Sequence, residues 1–130
     1  MAQREIIHTD DAPKAVGPYS QAIRLGSLVF TAGQIAIDPT TNKFIGGDIT
    51  QQTEQVLNNL SAVLDAAGSS LSQVMKTTVF LSDMDNYGPL NGVYAEFFSE
   101  AKPARSTVAV AKLPLGALVE IECVAVVSDS

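Results

Sequence analysis

Apolar residues return along this chain in two different periods, and the changes of period mark its elements. Between Asp48 and Gly68, residues Val56, Leu57, Leu60, Val63, Leu64 and Ala67 recur every three or four positions, as one face of an amphipathic helix does. Asp48 stands at the N-cap, Gln51 supplies the return half of a capping box, and Gly68 stops the helix. A second stripe, Leu90, Val93, Tyr94, Phe97 and Phe98, follows Asp85-Asn86 and ends before Pro103. Elsewhere the pattern is that of strands. Ile6-Ile7 opens one, Ala22–Leu25 and Leu28–Ala32 form a hairpin turning at Gly26-Ser27, and Val74–Leu81 is rich in β-branched residues. Gly33-Gln34 interrupts the second arm, which Ile35-Ala36-Ile37 is expected to continue up to the turn at 38–42. The last third predicts another hairpin, with Ser106–Ala111 going out and Leu118–Val127 returning around Leu113-Pro114-Leu115-Gly116.

Strand parity adds a consequence. Glu120 and Glu122 share one face of the last strand, opposite Val119, Ile121 and Cys123. Val124 and Val126 continue the glutamate face, so both faces turn apolar towards the end. Two helices cover only one face of such a sheet. A second copy of the chain is expected on the other, making a homo-oligomer.

With 130 residues, the length predicts a single domain spanning 1–130. The net charge of −6 argues against nucleic acid, which calls for a basic stripe. One cysteine, Cys123, and one histidine, His8, give no intrachain disulfide and no metal-ligand spacing. No run approaches the ~20 apolar residues of a membrane helix, and the N-terminal residues lack the apolar core of a secretory signal. A soluble, cytoplasmic protein without membrane contact is expected.

The candidate chemistry begins at Pro103-Ala104-Arg105-Ser106 and Glu120-Ile121-Glu122. Arg105 offers bidentate recognition of a carboxylate, and Glu120 an acceptor able to activate water. Arg105 and Glu120 could instead form a structural ion pair, and the spacing leaves both readings open and does not choose between Glu120 and Glu122 as the catalytic carboxylate. Tyr19, in Gly17-Pro18-Tyr19-Ser20-Gln21-Ala22, reads as a loop aromatic. Asn91 beside Gly92 hints at a site or an interface on the second helix. Cys123 reads as inert core, and His8 as exposed. Gly46-Gly47 and Gly33-Gln34 lack the strand-to-helix setting of phosphate loops. No nucleophile-elbow pattern accompanies the lone histidine.

Taken in order, Ala12-Pro13, the Gly17–Ala22 segment, Thr31-Ala32-Gly33-Gln34, Lys76-Thr77-Thr78-Val79, Asn91 with Tyr94, Phe97 and Phe98, and the Arg105 and Glu120 motifs are specific. Over nearly its whole length the chain resembles the RidA/YjgF family of imine deaminases. That resemblance implies an α+β, chorismate-mutase-like fold, a mixed six-stranded sheet with two helices on one face. It implies a homotrimer with clefts between subunits. It also implies hydrolysis of 2-iminobutanoate and 2-iminopropanoate, in equilibrium with enamines released by threonine and serine dehydratases, to 2-ketoacids and ammonia without a cofactor. By motif, Arg105 would grip the substrate carboxylate and Glu120 the water, with Glu122 in the signature but not on the water. Tyr19, the backbone at Gly33, Asn91 and Thr107 would complete the cleft. Thr107 stands where many bacterial relatives have cysteine, and Ala32 where some have serine. Two rivals share the framework: a module that binds or senses 2-ketoacids without turnover, and an RNA-directed translation inhibitor or endoribonuclease.

Overall fold

The structure, a computed structural model, describes residues 3–128. Eight strands and two α-helices occur among them. β1 (Arg4–Ile7), β2 (Ala22–Leu25) and β3 (Leu28–Thr31) form an antiparallel meander. β4 (Ile37–Asp38) and β5 (Lys43–Phe44) make a small separate ribbon. Then come α1 (Ile49–Ala66), β6 (Val74–Leu81), α2 (Tyr87–Phe97), β7 (Ala104–Ala109) and β8 (Val119–Val126). The main sheet has six strands in the order β1-β2-β3-β8-β6-β7 and is mixed, because β6 and β7 run parallel.

The signals for α1 act as the sequence implies. Asp48 accepts from the Gln51 amide at 2.9 Å while the Gln51 side chain accepts from the Asp48 amide at 3.0 Å. Such caps stabilise a helix by about 1 kcal/mol. Val56, Leu57, Leu60, Val63 and Leu64 are fully enclosed and pack with Val29, Val79, Val119 and Ile121 of the sheet. On β6 and β8 alternate residues are buried against the helices, and the intervening ones face away. That second face carries Phe30 at 46% and Val108 at 45% exposure, beside Phe80, Glu120, Glu122 and Val124.

Two expectations require correction. The last third is not a hairpin. β7 lies at the sheet edge beside β6, while β8 inserts between β3 and β6. The linker, residues 110–118 with a single 3₁₀ turn at Pro114–Gly116, is too long for a tight hairpin. The apolar strand β6 needs neighbours on both sides, and β6-α2-β7 is a strand-helix-strand unit of the kind that brings strands parallel. Nor does Ile35-Ala36-Ile37 extend β3. Gln34 makes one bridge to Ile121, after which the chain leaves for the β4–β5 ribbon.

Candidate functional site

Register decides which candidate residues can meet. Arg105 lies opposite Thr77 on β6, and Glu120 lies opposite Phe80. Thr77 is buried against α2 and Phe80 is on the far face, so Arg105 and Glu120 project from opposite faces of one sheet. They form no ion pair within a chain; among the described residues the single salt bridge joins His8 and Asp10. The candidate site is therefore divided into two halves.

Glu120 belongs to a cavity of about 570 Å³ lined by Tyr19, Ala32, Gly33, Gln34, Leu115 and Glu120 among others. The loop from Ala12 to Ser20 walls one side. It is fastened by buried Gln21, whose amide donates to the carbonyls of Thr9 and Pro13 at 3.0 and 2.8 Å and whose oxygen accepts from the Thr9 amide. Tyr19 is over half exposed at the rim, and its hydroxyl accepts from the Val16 amide at 3.4 Å. Leu115 holds a left-handed backbone, φ 57°, at the mouth and is 66% exposed. Glu120 is half-buried. Burial first, and then the neighbouring Glu122 carboxylate, push its carboxyl above the ordinary range. A carboxyl shifted this way holds and returns a proton more readily near neutrality.

Arg105 occupies the other half, on edge strand β7. Its guanidinium lies 4.7 Å from the Tyr94 ring centroid and 5.5 Å from that of Tyr87, and donates to the Tyr87 hydroxyl at 3.1 Å. Asn91 is four residues after Tyr87 and three before Tyr94, so it shares the helix face on which Arg105 is seated. Thr107, two positions after Arg105 on the same strand face, has a buried Oγ1 with no hydrogen-bond partner. An unpaired buried hydroxyl on that face can donate or accept one further hydrogen bond.

The structure thus groups Tyr19, Gly33 and Glu120 in one place, and Arg105, Asn91 and Thr107 in another. Sequence reasoning missed the seat for Arg105. By sequence Tyr94 reads as core and as part of the family motif and Tyr87 carries no signal of its own, although the 87, 91, 94 spacing marks one helix face. Cys123 lies in the core, its thiol pushed up to about 11 chiefly by burial, and is poorly suited to nucleophilic chemistry. Among the described residues no group of three His, Cys, Asp or Glu could hold a metal ion, and no helix is long and apolar enough to cross a membrane.

Known proteins are similar to this chain in sequence and fold. A family model described as Endoribonuclease L-PSP matches residues 9–127. A RutC family protein of Pyrococcus horikoshii is 54% identical over 94% of this chain and 97% of its own length. The protein named Reactive Intermediate Deaminase A, chloroplastic, of Arabidopsis thaliana is 46% identical over 95% of this chain and 66% of its own. E. coli TdcF, solved with bound serine, is 44% identical at a TM-score of 0.90, covering 95% of this chain and 99% of that one. The mixed six-stranded sheet with two helices on one face is the chorismate-mutase-like fold. The chain belongs to the Endoribonuclease L-PSP family, which is the YjgF/RidA/RutC family.

Proposed function

We propose that this protein is a 2-iminobutanoate/2-iminopropanoate deaminase, working as a homotrimer in the cytoplasm with each cleft shared by two subunits. The observation that carries the proposal is the divided site. Glu120 sits in a cavity whose lining holds a single basic residue, the exposed Lys14, and Arg105 stands on the opposite face at a sheet edge. The Glu120 half lacks a guanidinium to grip a carboxylate in two places, and the Arg105 half lacks the carboxyl. A neighbouring copy that brings its β7 edge to the Glu120 cavity joins an anion grip to a proton-exchanging carboxyl. A relative named a reactive intermediate deaminase, and another solved with serine bound, support a small amino-acid-derived ligand.

In the complete cleft Arg105 holds the substrate carboxylate through charge-assisted hydrogen bonds of about 1.5–3 kcal/mol each. Asn91 and the Thr107 hydroxyl border that grip. Starting from the protonated imine, Glu120 accepts a proton from water as its oxygen bonds to C2, giving a neutral carbinolamine. Glu120 then returns that proton to the nitrogen, and as the C–N bond breaks the hydroxyl proton passes back to Glu120, so 2-ketoacid and ammonia leave. General acid–base help of this sort contributes roughly 10²–10⁴-fold. The net charge of −6 disfavours an RNA substrate despite the family's endoribonuclease name.

The test is to generate 2-aminocrotonate from threonine with a dehydratase and to follow 2-ketobutyrate release. Wild type should accelerate release, and Glu120→Gln should lose most of the acceleration while still binding 2-ketobutyrate. No acceleration by wild type would refute the deaminase, and binding without turnover would favour a ketoacid sensor.

A further inference from the structure

Gly33 is a glycine whose reason is not conformational. Its φ lies outside the left-handed region, so the backbone would accept any residue. What excludes a side chain is Glu120. A Cβ built on Gly33 overlaps Oε2 of that carboxylate and lies 2.9 Å from its Cδ and 3.0 Å from its Cγ. The glutamate is laid flat over the bare backbone of residue 33.

The backbone has no room to retreat. On one side the Ala32 amide donates to the Gln21 carbonyl at 2.9 Å. On the other, the Gln34 amide donates to the Ile121 carbonyl at 2.9 Å, and the Ile121 amide donates back at 3.1 Å. Residue 33 is thus pinned between the loop that walls the cavity and the strand that carries Glu120. The movable partner in any collision is the end of the glutamate side chain, which can swing out by rotamer change at modest cost.

We propose that Gly33 is the positioning residue for Glu120: its missing Cβ is the clearance that lets the carboxyl lie in the cavity wall, so that any side chain at 33 expels the carboxyl without unfolding the chain. This rests on the deaminase reading for its consequence in turnover, but the placement of Glu120 can be tested without it. A carboxyl driven outward regains solvent and moves away from the burial that raises its proton affinity.

The experiment compares wild type, Gly33→Ala, Glu120→Gln and the double variant. Gly33→Ala should keep its Tm within a few degrees of wild type, while its turnover falls roughly 10²-fold or more, towards that of Glu120→Gln. The double variant should be no worse than Glu120→Gln alone, because both changes remove the same interaction. In parallel, carbon-13 NMR titration of the Glu120 carboxyl should show it moving down towards the ordinary carboxylate range in Gly33→Ala. Wild-type turnover in Gly33→Ala would overturn the proposal, and so would losses that multiply in the double variant. If wild type shows no deaminase activity, the titration alone decides, and an unchanged Glu120 titration refutes the role of Gly33. If Gly33→Ala fails to fold, Gly33→Ala/Glu120→Ala should restore folding by removing the obstructing side chain. Failure of that rescue would equally overturn it.

Discussion

The two faces of the main sheet are made of similar residues and meet different fates. On the helix side Val29, Val79, Leu81, Ile121 and Ala125 are fully enclosed. On the other side Phe30 and Val108, with Ile6 at 62% exposure on edge strand β1, remain open to solvent beside Glu120 and Glu122. The helix face is finished by one chain. The open face carries the half of the candidate site that contains Glu120, while the Arg105 half is turned to the helix side at the opposite edge strand. On the proposed function, a single protomer is self-sufficient in its core and incomplete in its chemistry.

Subunit mixing breaks this comparison most sharply. In the proposed trimer, Arg105→Ala and Glu120→Gln should each lose roughly 10²-fold or more of activity, because every shared cleft would lack one partner. Unfolded together and refolded in equal amounts, the two should regain about a quarter of wild-type activity, since random assembly pairs a native Glu120 with a neighbour's native Arg105 at that frequency. Coupled ketoacid assays read the recovery directly. Activity no higher than the inactive parents would mean that the two residues serve one chain or no common site.

The next contrast sets one face against the other. Leu64→Ala, at a fully enclosed position under α1, should cost about 2–5 kcal/mol in urea unfolding. Phe30→Asp, on the open face, should cost far less in a lone chain but abolish the proposed assembly by burying a charge at the contact. Sedimentation velocity should show monomer for Phe30→Asp at concentrations where folded Leu64→Ala keeps the proposed trimer. An assembled Phe30→Asp would remove the open face from the interface.

Much of this division was legible in residue order. The stripe from Val56 to Ala67 and its Asp48–Gln51 box define α1 because helix periodicity and capping are local properties. Parity on β8 placed Glu120 and Glu122 on one face, beside the apolar Val124 and Val126, as the structure has them. What failed was pairing. Two strands joined by a loop look like a hairpin, and nothing within Ala104–Ala109 announces that it pairs with Val74–Leu81 across a helix instead. That one error hid the opposition of Arg105 and Glu120, which is set by register between distant segments rather than by any motif. Tyr87 gives no sequence signal for the same reason: its partner lies 18 residues away, on a strand whose pairing residue order does not reveal.

The smallest effect expected concerns stability, and its sign separates a working carboxyl from a structural one. Unfolded, Glu120 releases its proton near the ordinary value of 4.5; folded, burial and then Glu122 make it release later. Below the ordinary value both states keep the proton and folding carries no penalty. As the pH rises from there through the raised folded value, the unfolded chain ionises first and stability is lost, reaching its full loss once both states are charged. Glu120→Gln has no charge to bury, so its Tm should match wild type in acid and exceed it modestly at pH 8. The gain stays small because the carboxyl is half-exposed and partly screened. Glu122→Gln should recover only the lesser part, since burial is the larger cause. A substitution that removes turnover while raising stability is the signature of a residue kept for function at a cost to the fold. A Glu120→Gln chain less stable than wild type at pH 8 would instead make Glu120 a structural carboxylate and return the comparison of faces to packing alone.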